Sequence, residues 1–217
     1  MTTARAVHTD LINAFDYLQG AGLLLYSPTP RLGTTRVSWH GAHDFDISAP
    51  YATVEQYLEW ASQSQYSAVL PDASLLQMTY DVVGGSVVGH RLAYVPCPVL
   101  VDEDLIREAG FVDVVETHLD EGIASVVLRS PVRFDFDPEA ASPGHPASHL
   151  TFNGPDCRIA CVAPMHPFHF LDFVFRHYYA ELRDAGSAWF DGYAGRTIDE
   201  RVLTQEDRDG MHVVWPL

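Results

Sequence analysis

The sequence predicts an α+β fold, a mostly antiparallel sheet with hairpins packed by three to four helices, and two observations carry that expectation. Runs of alternating apolar and polar residues follow one another through short glycine turns, and stretches of 3.6-residue periodicity stand apart from them instead of alternating with them. With 217 residues, 47% of them apolar, the chain can bury the core of one ordinary domain. It reads as a single α+β domain over 1–217, in which 187–217, of mixed pattern, could stand as a C-terminal appendage.

The elements follow in order. Leu11, Phe15 and Leu18 recur at helical spacing behind Asp10 as a cap, and Gly20 ends the pattern. Residues 34–40 alternate as a strand. Thr53, with Gln56 three residues on, is a capping box ahead of Val54, Tyr57, Leu58 and Ala61. From Ser74 the period becomes two: Leu76, Met78, Tyr80 and Val82 share one side, as do Val88, His90, Leu92 and Tyr94 after Gly84-Gly85, which predicts a hairpin. Asp102 caps a third helix, with Glu103 and Asp104 in a first turn where the helix dipole favours anions and with Gly110 as its stop. Residues 123–128 and 132–136 read as a strand broken by Pro131, and 149–152 and 157–162 as two more around Asn153-Gly154. Phe170, Phe173, Val174 and His177 mark a last helix over about 167–185, and 211–215 a short final strand.

Charge narrows the chemistry. There are 29 acidic and 13 basic residues, a net −16, and every basic residue is an arginine. A chain without lysine has no Schiff-base amine, no lysine to anchor pyridoxal phosphate and no P-loop. A field of that sign repels phosphate backbones and anionic membranes, so nucleic acid is a handicapped partner and a protein with a basic surface a favoured one. Three cysteines, Cys97, Cys157 and Cys161, suit a reducing compartment, and no run of about 18 apolar residues occurs. A cytoplasmic protein that does not enter membranes is expected. There is no Gly-x-Ser-x-Gly, no His-Glu-x-x-His and no dinucleotide fingerprint.

The most informative segment is 131–158. Alternation puts Val132, Phe134 and Phe136 on one face and Arg133, Asp135 and Asp137 on the other, and His145 and His149 follow within the next loop and strand. Three accounts stay open. The charged face can be merely solvated, with a weak surface pair. It can be a catalytic face, in which His149 is the general base, His145 the general acid and Arg133 stabilises a developing oxyanion or phosphorane. Or Asp135, Asp137 and one or both histidines hold a divalent metal that activates water. A zinc site over His145, His149, Cys157 and Cys161 conflicts with strand geometry, because residues four apart on a strand are roughly 13 Å apart; the two thiols read better as small apolar groups facing a core. Elsewhere His90 looks core-facing, with Arg91 opposite it and paired. His166, His169, Asp172 and Arg176 could line a cleft against the first cluster, His177 lies on the core stripe, and the ligand-type residues from His40 to Asp46 read as a turn.

Five blocks of text now matter: Asp72-Ala73-Ser74-Leu75-Leu76-Gln77, His90-Arg91-Leu92-Ala93-Tyr94-Val95-Pro96, Arg133-Phe134-Asp135-Phe136-Asp137-Pro138, His145-Pro146-Ala147-Ser148-His149-Leu150, and Phe168 through Tyr179. Together they resemble the bacterial family of unknown function called DUF2290. The resemblance implies a label and no activity. Arg133-x-Asp135 followed by His145-Pro146 and His149 also resembles the short signature of TumE-like toxins of bacterial toxin–antitoxin pairs. The expected function is therefore a nuclease-like, phosphodiester-cleaving component of a bacterial defence or toxin–antitoxin system. The alternative is a non-catalytic acidic binding subunit, antitoxin-like, that docks on a basic partner protein. A small-ligand sensing domain is a third.

Overall fold

The computed structural model describes residues 3–39, 53–120, 126–152, 154, 157–198 and 201–209. The turn expected at 40–46 and the strand at 211–215 lie outside them. Helix α1 (Ala4–Gly20) begins earlier than its apolar spacing suggested, because Thr3 caps it by accepting the Ala6 N–H at 3.1 Å. Asp10 is therefore an interior helical residue. Its carboxylate sits 3.5 Å from His166 Nε2 and 3.7 Å from Arg196. Two short strands follow, β1 (Arg31–Leu32) and β2 (Arg36–Ser38). Thr53 caps α2 (Val54–Ser62) through the Gln56 N–H, as its capping box requires.

Beyond β3 (Ala68–Val69), strands β4 (Leu75–Val83) and β5 (Ser86–Val95) form the predicted hairpin. Gly84 (φ +61°) and Gly85 (φ +87°) supply the two left-handed positions that a two-residue turn of matching twist needs. Asp102 caps α3 (Glu103–Ala109), and Gly110, at φ +89°, ends it and redirects the chain into α4 (Phe111–Asp120), a helix absent from the elements expected above. Three more strands, β6 (Val132–Phe136), β7 (Ser148–Phe152) and β8 (Arg158–Ala160), complete the sheet. The expected last helix is two, α5 (Pro167–Tyr178) and α6 (Ala180–Ala185), the break falling at Tyr179, which leaves helical geometry at φ −139°, and a further helix, α7 (Ser187–Gly192), follows in the stretch of mixed pattern. A short α8 (Gln205–Asp209) closes the described chain. Along α5 the buried stripe runs through Phe170, Leu171, Val174 and Phe175. That turns His177 outward, contrary to the core position its spacing implied; it is exposed and lies against Phe173.

All the described strands join one antiparallel sheet, ordered β1-β2-β4-β5-β6-β7-β8 with β3 also on β4. The architecture is α+β. One face carries Tyr80, Leu92, Phe134 and Phe136 into a core shared with α1 and α5. On the other face Leu75, Ala93 and Val95 pack under α2, α3 and α4. Those helices pack on that end of the second face, and the remainder, toward β7 and β8, is lined by polar side chains, among them the buried Asp135, His149 and Thr151. Among the described residues no helix is long and apolar enough to cross a membrane.

The entry to α5 is held by histidines. Tyr80 and His90 lie directly opposite on β4 and β5; His90 Nε2 accepts the Met165 N–H at 2.8 Å and the Tyr80 hydroxyl donates to the Met165 carbonyl at 3.0 Å. One residue on, His166 Nδ1 accepts the Phe168 N–H as N-cap of α5. Both nitrogens accept only while unprotonated, and burial pushes both imidazoles down to about 4. The stability they lend is whole above the free-imidazole value near 6.5 and is lost as pH falls toward 4, by about 1.4 kcal/mol per pH unit for each group. Urea unfolding at pH 7 and pH 5 should show a clearly lower midpoint at pH 5. His166→Asn, which keeps a capping oxygen and removes the titration, should narrow the gap.

Candidate functional site

Register assembles the site. Arg91 of β5 lies opposite Asp135 of β6, and Asp135 opposite His149 of β7. In the adjoining row Arg133 lies opposite Thr151, and Thr151 opposite Arg158 of β8. Directly opposed residues of antiparallel strands share a face, as do residues two apart on one strand. All six side chains therefore belong to the second face, turned away from the Val132, Phe134 and Phe136 core.

Asp135 is the hub. Only 6% exposed, it accepts hydrogen bonds from Arg91 Nε at 3.2 Å on Oδ1 and from Arg133 Nε at 2.6 Å on Oδ2. Two guanidinium partners compensate the burial of a carboxylate. His149 Nε2 stands 3.7 Å from Oδ2, too far for a hydrogen bond. Its Nδ1 lies 2.7 Å from the Pro146 carbonyl, an acceptor only, so the proton sits on Nδ1 and Nε2 is bare. Burial lowers the His149 pKa, against the opposing pull of the Pro146 carbonyl and the Asp135 charge, so the ring is neutral at pH 7. The His149 side chain is 3% exposed. His145 is half-buried, with its ring edge-on to His149 at 4.8 Å between centroids. A tight turn places it, in which Ser142 and His145 exchange backbone hydrogen bonds around Gly144 at φ +76°.

Of the five residues expected here, Arg133, Asp135, His145 and His149 come together and Asp137 does not. Strand β6 ends at Phe136, and the Asp137 carboxylate turns into the following loop, where it accepts the N–H groups of Glu139 and Ala140. Arg91 takes its place. The signal for it was in the sequence, since a core-facing His90 forces its neighbour onto the polar face. The second histidine group does not line this site: His166 and His169 belong to the entry and first turn of α5, across the sheet. There Asp172 is engaged by Arg176 and Arg183. Cys161 packs against the first core, where burial pushes its thiol up to about 11. For a metal the donor set is thin, because Asp135 is already occupied by two arginines and, among the described residues, no three His, Cys, Asp or Glu side chains converge.

What the arrangement offers is a pair of guanidinium groups around one buried carboxylate, flanked by a pair of imidazoles, on one face of the sheet. The model of one protein family, described as "Uncharacterized conserved protein (DUF2290)", matches residues 25–215. No curated protein and no solved structure matches the chain.

The hub and the residue beside it should respond differently to loss of charge. Asp135→Asn removes the shared anion from Arg91 and Arg133 and should cost about 1–3 kcal/mol in urea unfolding. Asp137→Asn keeps an oxygen that accepts the same two N–H groups, and should change stability by less than about 0.5 kcal/mol.

Proposed function

The chain belongs to the DUF2290 family, whose description assigns no activity, and we propose on the strength of its site that it is a nuclease-like, phosphodiester-cleaving component of a bacterial defence or toxin–antitoxin system, working in the cytoplasm. The observation that carries the reading is the placing of the His145–His149 pair beside Asp135 and its two arginines on one sheet face. An imidazole can move the proton that a phosphodiester displacement must move, and guanidinium groups neutralise the charge that builds on the non-bridging oxygens. The burial of His149 changes its part. His145, the more accessible ring, is the group that meets substrate, and His149, anchored to the Pro146 carbonyl, holds that ring edge-on from behind. Arg91 joins Arg133 as anion stabiliser, and Asp135 positions both.

A second reading has its own support. The outer helices carry Glu55 and Glu59 on α2, Glu103, Asp104 and Glu108 on α3, and Asp113, Glu116 and Asp120 on α4, opposed by Arg107 alone. That layer suits docking on a basic partner protein, as an acidic binding subunit would, and such contact weakens as ionic strength rises.

Incubation of the full chain with labelled single-stranded RNA and single-stranded DNA separates the two. Cleavage of either that falls at least about 10²-fold in His145→Ala, with urea stability unchanged, is the expected result. A chain that cleaves neither, or whose cleavage is indifferent to His145, overturns the catalytic reading.

A further inference from the structure

We propose that Leu100, Leu105, Val126 and Leu128, bordered by the acidic side chains of α3, form a contact at which a partner protein docks through a segment of apolar residues interspersed with lysine or arginine. The inference rests on the docking reading of the acidic layer, and specifies the part of it that is bound and the chemistry of what binds. It begins from an exposure that a soluble domain has no need of. Leu128 is 98% exposed and Leu100 65%, more than any other large apolar residue among the described ones. Exposed leucines scattered singly are ordinary, but these two are neighbours. Val99 and Val126 form an antiparallel bridge, and the Val127 N–H donates to the Pro98 carbonyl at 2.7 Å. Leu100 and Leu128 therefore flank one short ladder, on the order of 10 Å apart, with the exposed Val126 between them.

The backbone under Leu128 is pinned. Leu128 is the centre of a three-residue turn closed by the Arg129 N–H on the Val127 carbonyl at 3.0 Å. The Arg129 guanidinium fastens that turn to Asp72, just before β4, at 3.2 Å. A side chain held out by a fixed backbone loses little freedom when it is covered, and such preorganisation is what lets a small contact bind. The charge alongside states what can cover it. Leu105 is exposed on α3, with Asp102 and Glu108 three residues away on either side as its neighbours on the helix surface. Glu103 is paired with Arg107, whereas Asp104 and Glu108 have no ion pair among the described residues. A purely apolar partner would leave those carboxylates at its rim without compensation, and a second copy of this chain meeting the patch face to face would set like charges against them. A segment that carries lysine or arginine between its apolar side chains meets both demands.

Panning a phage-displayed library of random dodecapeptides on the full chain, followed by fluorescence anisotropy of the enriched peptide, tests this. The enriched sequence should combine apolar residues with lysines or arginines. Leu128→Asp should weaken its binding by at least about 10-fold and Leu100→Ser several-fold, both with urea stability unchanged because these side chains stand in solvent. Asp104→Asn combined with Glu108→Gln should weaken binding several-fold and flatten its dependence on salt. Val83→Asp, at an exposed position beside the hairpin turn at the other end of the sheet, should change nothing. Enrichment of no peptide, enrichment of peptides without basic residues, binding indifferent to Leu128, or self-association of the chain that Leu128→Asp abolishes would each overturn the proposal. Its failure is distinguishable from that of the docking reading. Basic peptides that ignore Leu128 but are lost from the Asp104 and Glu108 variant remove the apolar contact and leave the acidic layer as a docking surface, whereas Leu128-dependent binding that ignores salt and both carboxylates removes the acidic layer as well.

Discussion

Every side chain of the site stands where it does because β6 buries Val132, Phe134 and Phe136 against α1 and α5. A strand has only two faces, so burying the even positions commits Arg133 and Asp135 to the other side. A slip of one residue would turn three large apolar groups to the polar face and an aspartate and an arginine into the core, and that cost fixes the register with β5 and β7. Register in turn sets Arg91, Asp135 and His149 in one line across three strands.

The same sheet is used twice. Its first face holds the larger core, from β2 to β6, and its apolar residues reach the surface at Phe152 and Ile159 toward the β8 edge, whereas on its second face α2, α3 and α4 pack at the end that carries Ala93 and Val95. The part beyond those helices is polar, and its centre is a buried carboxylate held by two arginines. Charge is thereby segregated. The covering helices are strongly acidic, while the sheet beside them holds guanidinium groups gathered around the buried Asp135.

Strand β5 links the two sides. His90 and Arg91 are consecutive, yet His90 accepts a hydrogen bond from Met165 at the entry of α5 while Arg91 pairs with Asp135 across the sheet. The loop before α5 and the polar face are thus attached to opposite sides of one backbone segment, and a disturbance of β5 is felt at both. The histidines divide in the same way. His90 and His166 are structural acceptors for backbone N–H groups, and His145 and His149 belong to the polar face.

Much of this was legible in the sequence by itself, wherever a local rule governs. The Thr53–Gln56 capping box, the Gly84-Gly85 turn, the Gly110 stop and the period-two alternation through 132–136 each express a constraint of a few neighbouring residues, and each predicted its element and the face it buries. The association of Arg133 and Asp135 with His145 and His149 followed from that alternation. What the sequence could not decide is what depends on distant partners: that Asp137 leaves the strand to close a turn, that Arg91 replaces it through strand pairing, that Tyr179 breaks the last helix to reach Asp72 and Tyr94, and that His149 is buried and neutral. Those outcomes are set by register and by the desolvation of groups far apart along the chain, and both exist only once the sheet has closed on its helices.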